Sequence, residues 1–304
     1  VRQAGTRSTV TRFAPSPTGY LHLGHAGSAL FAFEAARTAG GQFLLRIEDI
    51  DRDRCRARFD QALREDLAWL GVTWREPVRR QSEHMAEYAR ALDRLDEMGL
   101  LYPCVLSRRE LAEVLSAPHG GPAGTAVTGT DRMIEPQERD RRLAEGAPYA
   151  LRLRMEEATR RAGPLAWHDR RAGRQDARPG LFGDVILARK DVRTSYHLAV
   201  TMDDAAQAVS LVTRGGDLFE ATHVHRLLQA LLDLPVPEYV HHPLIVDGDG
   251  RRLAKRDRAL TIRALREVGH DPNAVRGMVV RGGIDLEHAG MQTRNAETLD
   301  METS

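Results

Sequence analysis

The chain has almost no cysteine. Only Cys55 and Cys104 occur among 304 residues, which excludes a disulfide framework and leads us to expect two reduced thiols in a cytoplasmic protein. Long apolar runs are missing as well. None reaches the roughly 18 residues that a membrane-spanning helix needs, so a helical integral membrane protein is excluded. Residues 1–10 are polar where a secretory signal would be apolar. Excess charge of one sign is also lacking: 44 Lys plus Arg stand against 43 Asp plus Glu, a net of +1. Bulk charge therefore cannot carry nucleic-acid binding, and any such contact must rely on a local basic patch. Lysine is the last scarcity. Lys190 and Lys255 stand against 42 arginines. Under a composition bias that turns surface lysine into arginine, a surviving lysine marks a place where a compact ammonium does what a planar guanidinium cannot. This draws attention to Lys255.

What is present is the balance of a globular protein, 42% hydrophobic and 29% charged. Its length allows one large core, or one core with an inserted subdomain. Thr9–Phe13 reads as a short strand, residues 14–24 as a Pro/Ser/Gly-rich loop, and about His25–Thr38 as a helix ended by Gly40 and Gly41. Phe43–Ile47 reads as a buried strand, and Arg58–Leu70 and about Ser82–Met98 as helices stopped by glycine. This alternation predicts a doubly wound, Rossmann-like α/β domain with a parallel sheet. The pattern breaks after residue 100. Ala117–Gly129 is a Gly/Pro-rich loop, Arg139–Glu145 a short charged helix, and Tyr149–Met155, Asp184–Arg189, Tyr196–Met202 and Val209–Val212 read as strands. A helix at Leu218–Leu232 and a strand at Glu238–Val246 follow, then a charged loop at Asp247–Arg258 and two short helices at Thr261–Val268 and Pro272–Val280. We therefore expect residues 9–100 and 191–246 to be two halves of one domain. An α+β subdomain is inserted at 101–190, and 247–304 forms a loop and a short helical tail.

Two segments carry chemistry. The first is Phe13–His25, F-A-P-S-P-T-G-Y-L-H-L-G-H. A strand end, a tight loop and a helix start suit a nucleotide triphosphate: Gly24 permits close approach, and His22 and His25 can donate to phosphate oxygens as charge builds. The first N–H groups of the helix face an anion. Alone, an H-x-G-H reads more readily as two surface histidines around a helix start; the preceding R-F-A-P-S-P-T-G turns this to the functional reading. The second segment is Val246–Asp257, V-D-G-D-G-R-R-L-A-K-R-D. A mobile loop with Lys255 near its end can close over phosphates, although by itself it would pass for a solvated basic hairpin.

Together these segments resemble the two signature motifs of the class I aminoacyl-tRNA synthetases in their glutamyl form. The resemblance extends through L-L-R-I-E-D-I-D-R-D-R (44–54), T-S-Y-H-L-A-V-T-M-D-D (194–204) and V-T-R-G-G-D-L-F-E-A-T-H-V-H-R-L-L (212–228), and covers about residues 9–268. The family's lysine loop reads Lys-x-Ser-Lys; here it is Arg252-Leu253-Ala254-Lys255. Only 49 residues follow Lys255, too few for the helical anticodon-binding domain of a full-length glutamyl enzyme. Val200 also stands where those enzymes carry Asn. Both features resemble the truncated glutamyl-queuosine tRNA(Asp) synthetases, which activate glutamate with ATP and esterify it onto queuosine in the anticodon of tRNA(Asp).

The resemblance implies ATP and Mg²⁺ as reactants, with His22, Gly24, His25 and Lys255 at the ATP, the last joined by His22 and His25 in catalysis. It places L-glutamate against Arg12, Ala14, Ser16, Glu48, Tyr196 and Arg214. Glu48 would accept from the α-ammonium, and the Arg214 fork would meet the side-chain carboxylate, selecting acid over amide. Many members hold zinc in the insertion, but here Cys104 remains with Leu106, Pro122 and Ala126 at the other ligand positions. His119 does not restore the roughly four ligands of a structural site. No zinc is expected, and Cys104 is expected to be a small buried hydrophobe. A monomer is expected. Two alternatives remain: the same activation with a carrier protein or small molecule as acceptor, and a non-catalytic module, which the retention of His22, His25 and Lys255 disfavours.

Overall fold

The computed structural model describes residues 8–107, 109–111, 127–245, 261–289 and 291. Lys255 with its loop, His119, Pro122, Ala126 and the final residues lie outside them. In chain order the first elements are β1 (Val10–Phe13), α1 (Leu23–Thr38), β2 (Gln42–Ile47), α2 (Ala57–Trp69), β3 (Arg75–Arg80) and α3 (Met85–Glu97). β4 (Leu101–Cys104), α4 (Pro136–Ala144), β5 (Ala150–Leu153), α5 (Met155–Ala162), β6 (Ala166–Asp169), β7 (Gly173–Asp176) and β8 (Ile186–Arg189) follow. The chain then forms α6 (Tyr196–Ala206), β9 (Leu211–Gly215), α7 (Ala221–Leu231), β10 (Glu238–His242), α8 (Ile262–Glu267) and α9 (Pro272–Arg281).

β1, β2 and β3 pair in parallel, joined by the helical crossovers α1 and α2. β9 and β10 pair in parallel around α7. Ser210 joins the two halves: its Oγ accepts from the Val10 N–H at 2.9 Å, and its own N–H donates to Val10 O at 3.0 Å. β1 therefore stands beside β9, and the strands run β3-β2-β1-β9-β10 in space. This is a doubly wound, Rossmann-like α/β fold. Its strand order reverses between β1 and β9, where such folds open a crevice beyond the carboxyl ends of the strands.

The segment between the halves contributes in two ways. β4, β5 and β8 form an antiparallel sheet. The β6–β7 hairpin instead joins the main sheet, β6 lying parallel to β10 with Asp169 opposite Tyr239. Packing follows the same division. Leu30 and Phe31 of α1 pack with Leu45, Ile47, Val275 and Val279 in one core, and Tyr88, Leu95, Leu153 and Leu227 belong to a second. Each such side chain contributes about 1.5–3 kcal/mol on burial. Trp167 of the hairpin packs with Val209, Val212 and Tyr239 in a third, smaller cluster.

Two readings of the sequence need correction. Tyr196–Met202 alternates like a strand but opens α6. The Ser195 Oγ accepts from the Leu198 N–H, a cap worth about 1 kcal/mol, and Leu198–Thr201, Asp203 and Asp204 are all buried. Burial on several faces removes the polar stripe by which an amphipathic helix is recognised. The first helix also begins at Leu23 rather than His25, because His22 is its cap. Among the described residues, no helix is long and apolar enough to cross a membrane.

Candidate active site

A cavity of about 570 Å³ opens at the carboxyl ends of β1 and β9. Its walls come from elements far apart in the chain: Arg12 and Ala14 from β1 and the turn after it, His22, Gly24 and His25 from the start of α1, and Glu48 just beyond β2. Tyr196 and Val200 come from α6, and Arg214 from β9. Eight of the ten site residues that the resemblance implies thus meet in one space, with Val200 beside them. Ser16 lines an adjoining cavity of about 370 Å³ that shares Glu48 and Tyr196 with the first.

The start of α1 is closed by its own histidines. Nδ1 of His22 accepts from the N–H groups of Gly24 (3.1 Å) and His25 (3.4 Å), and Nδ1 of His25 accepts from the His22 N–H at 3.4 Å. The two rings stack with centroids 3.7 Å apart. These bonds revise the sequence reading: two of the first N–H groups are engaged by His22 rather than offered to an anion. In return, both Nδ1 atoms act as acceptors, which places the proton of each neutral ring on Nε2 and makes Nε2–H the donor. Gly24 is required by proximity, since a Cβ there would lie 2.9 Å from Cε1 of His22.

The floor is a buried ion network. Nε and Nη2 of Arg12 bond the Asp204 carboxylate at 2.9 and 3.2 Å, and Nη1 donates to Thr213 O at 3.1 Å. Arg46 is fully buried and donates to Asp204 (2.7 Å), Gln207 (3.1 Å) and Glu48 (3.2 Å). Asp203 accepts from Arg79, Gln81 and Tyr88, each at 2.8 Å. Burial pushes the Glu48 carboxyl upward, with Arg46 and Arg12 opposing. Asp204 is held below the usual carboxylate range because Arg12 and Arg46 together outweigh the effect of burial.

Arg214 is different. It is 6% exposed, yet its hydrogen bonds run to His241 Nε2 (3.1 Å), His225 Nδ1 (3.1 Å) and Thr222 Oγ1. Among the described residues no carboxylate pairs with it. The described residues on either side of 246–260 are both near this space. Ile245 lines the cavity, and Thr261 forms a bridge with His22.

Comparison with known proteins gives the family. The model for class I tRNA synthetases (E and Q), catalytic domain, matches residues 8–302. The chain belongs to these class I tRNA synthetases. A glutamyl-Q tRNA(Asp) synthetase of Rhodobacter capsulatus is 49% identical over 279 residues, covering 89% of this synthetase and 99% of its own length. One of Symbiobacterium thermophilum is 44% identical, covering 88% and 84%. Among solved structures, the glutamate-tRNA synthetase of Elizabethkingia anophelis superposes with a TM-score of 0.76 over 95% of this chain and 66% of its own, at 24% identity, which speaks for the shared fold.

Arg46, Asp203 and Asp204 of the synthetase were not singled out from the sequence. The signal was present: Arg46 is a charge inside the apolar strand L-L-R-I and shares a face with Glu48 two residues on. Asp203 and Asp204 end an apolar run, where paired acids require partners. Cys104 is 4% exposed in β4.

Proposed function

We propose that the synthetase activates L-glutamate with ATP to glutamyl-adenylate and transfers the glutamyl group to queuosine in the anticodon of tRNA(Asp). The observation that carries glutamate as the substrate is the buried, carboxylate-free Arg214 on a cavity that also holds Glu48. Arg214 calls for an anion and Glu48 can accept from an ammonium, the two charged groups that an acidic amino acid brings besides its α-carboxylate. The acceptor rests on the names of the two relatives, which the chain matches over most of their length.

In this mechanism Arg214 takes the side-chain carboxylate, and Arg12, Ala14, Ser16 and Tyr196 complete the glutamate subsite. An α-carboxylate oxygen attacks the α-phosphorus of ATP in line; the new P–O bond forms as pyrophosphate leaves. His22 and His25 donate through Nε2–H to the phosphate oxygens as charge shifts, and Lys255 neutralises the leaving group. Positioning and electrostatics do this work without a protein nucleophile. Among the described residues, no group of three or more His, Cys, Asp or Glu is arranged to hold a metal. Mg²⁺ would enter with the ATP substrate, whose phosphates can supply ligands for it. An acceptor hydroxyl then attacks the acyl carbon and releases AMP.

The test uses labelled glutamate, ATP and total tRNA from cells that make or lack queuosine. Label confined to queuosine-containing tRNA(Asp) is expected. Label on a tRNA 3′ end would overturn the acceptor assignment. Glutamate-dependent ATP–pyrophosphate exchange with no label on any tRNA would direct attention to a carrier protein or small molecule.

A further inference from the structure

Three buried arginines approach the cavity, and two of them are neutralised: Arg12 and Arg46 both pair with Asp204. Among the described residues, Arg214 is held by neutral groups: His241, His225, Thr222 and the ring face of Tyr239, whose centroid is 5.4 Å from the guanidinium carbon. Burying an uncompensated charge costs several kcal/mol, so this arrangement is expensive within the chain and becomes favourable with an anion beside it.

The hydrogen bonds also determine where the protons sit. A guanidinium only donates, so His241 Nε2 and His225 Nδ1 must each present a lone pair to Arg214. His241 then carries its proton on Nδ1 and donates to Asp169 Oδ2 at 2.7 Å. Asp169 is itself fixed, its Oδ1 accepting the backbone N–H groups of Arg171 and Ala172 at 2.9 Å each. His225 carries its proton on Nε2 and donates to His197 Nδ1 at 3.2 Å. Burial lowers the proton affinity of all three rings, and the charge of Arg214 lowers it further; His197 is pushed down to about 4.

We propose that His225 and His241 are specificity-setting positioning residues: two neutral imidazoles, each locked in one tautomer, hold Arg214 at the cavity without cancelling its charge, so that the site is completed only by a substrate with an anionic side chain. This rests on the assignment of Arg214 to the substrate's side-chain carboxylate. Glutamine in the same place brings no charge and turns an N–H toward a guanidinium that can only donate. A carboxylate at position 225 or 241 would satisfy Arg214 internally and remove the demand for an acid.

ATP–pyrophosphate exchange driven by glutamate or glutamine, in the full chain, compares wild type with R214Q, H225E, H241E and H225Q. R214Q is expected to lose the preference for glutamate. H225E and H241E are expected to raise KM for glutamate and reduce the preference by roughly 100-fold. H225Q, whose carbonyl can still accept from Arg214, should keep the preference to within about tenfold. Preference lost in R214Q but intact in both carboxylate variants refutes the histidine role and leaves the Arg214 assignment standing. Preference intact in R214Q refutes that assignment as well. Should the variants fail to fold, ¹⁵N spectra of the wild-type histidines at neutral pH decide the matter. Neutral His241 protonated on Nδ1 and neutral His225 protonated on Nε2 are expected, and a charged ring or the opposite tautomer in either overturns the inference.

Discussion

Lowering the pH from 7.5 to 5 is expected to weaken the fold through its buried histidines before most carboxylates protonate. His197 has a folded pKa of about 4, caused by burial and then by the charge of Arg214, against about 6.5 when unfolded. Between those values the unfolded chain binds the proton and the folded chain does not. The contribution is therefore fully present above the unfolded value and is lost as pH falls toward the folded one. At pH 5 the unfolded imidazole is almost wholly charged and the folded one about one-tenth charged, a loss of about 2 kcal/mol from this ring alone. His225, His241, His242 and His223 are shifted the same way, burial being the first cause in each. Their losses add to that of His197, against a typical total stability of about 5–15 kcal/mol. Glu48 and Asp66 work in the opposite direction, because burial raises both and the folded chain takes up their protons first. The substitution His197→Gln isolates the single ring, since a Gln carbonyl can still accept from His225. Urea unfolding at pH 7.5 and 5 is expected to show H197Q retaining about 2 kcal/mol more of its stability at the lower pH than wild type does. A difference below about 1 kcal/mol would refute the account of this histidine as a buried neutral group.

Gly24→Ala should displace the His22 ring that its Cβ would meet; we expect exchange activity to fall by about tenfold or more, and an unchanged rate would show that the position of the ring is dispensable. Arg46→Met leaves Asp203, Asp204 and Glu48 without their shared cation and should cost about 3–5 kcal/mol in urea unfolding. Lys255→Ala should slow adenylate formation far more than it weakens glutamate binding, as measured by single-turnover kinetics and calorimetry; equal losses in the two would contradict its assignment to the leaving group.

The catalytic half-domains were legible wherever hydrophobic period and glycine stops agreed, as in α2 and α3. The residues that line the candidate site were legible because they cluster in short motifs around Phe13–His25 and Arg214. Elements stabilised by partners distant in sequence were not. β3 reads R-E-P-V-R-R, with no apolar face, and its arginines find Asp203, Glu87 and Asp49 only in the folded chain. The β6–β7 hairpin is held by β10, and that pairing cannot be read from residues 166–176 alone. The role of His241 was hidden for the same reason, since its proton is fixed by Asp169, which is 72 residues away in sequence.

Asp169 sits on the β6–β7 hairpin, opposite Tyr239 on β10, and Trp167 beside it packs into the third hydrophobic cluster. The stretch between the two half-domains is therefore not a detachable module. A chimera that exchanges the whole of residues 101–190 for the corresponding piece of another synthetase would also replace the carboxylate that sets the tautomer of His241. Such an exchange is expected to disturb amino-acid selection through His241, although none of the described residues exchanged hydrogen-bonds Arg214 directly. A graft that spares residues 164–178 avoids this, and natural recombination across this region faces the same constraint: the hairpin must stay with the sheet it completes.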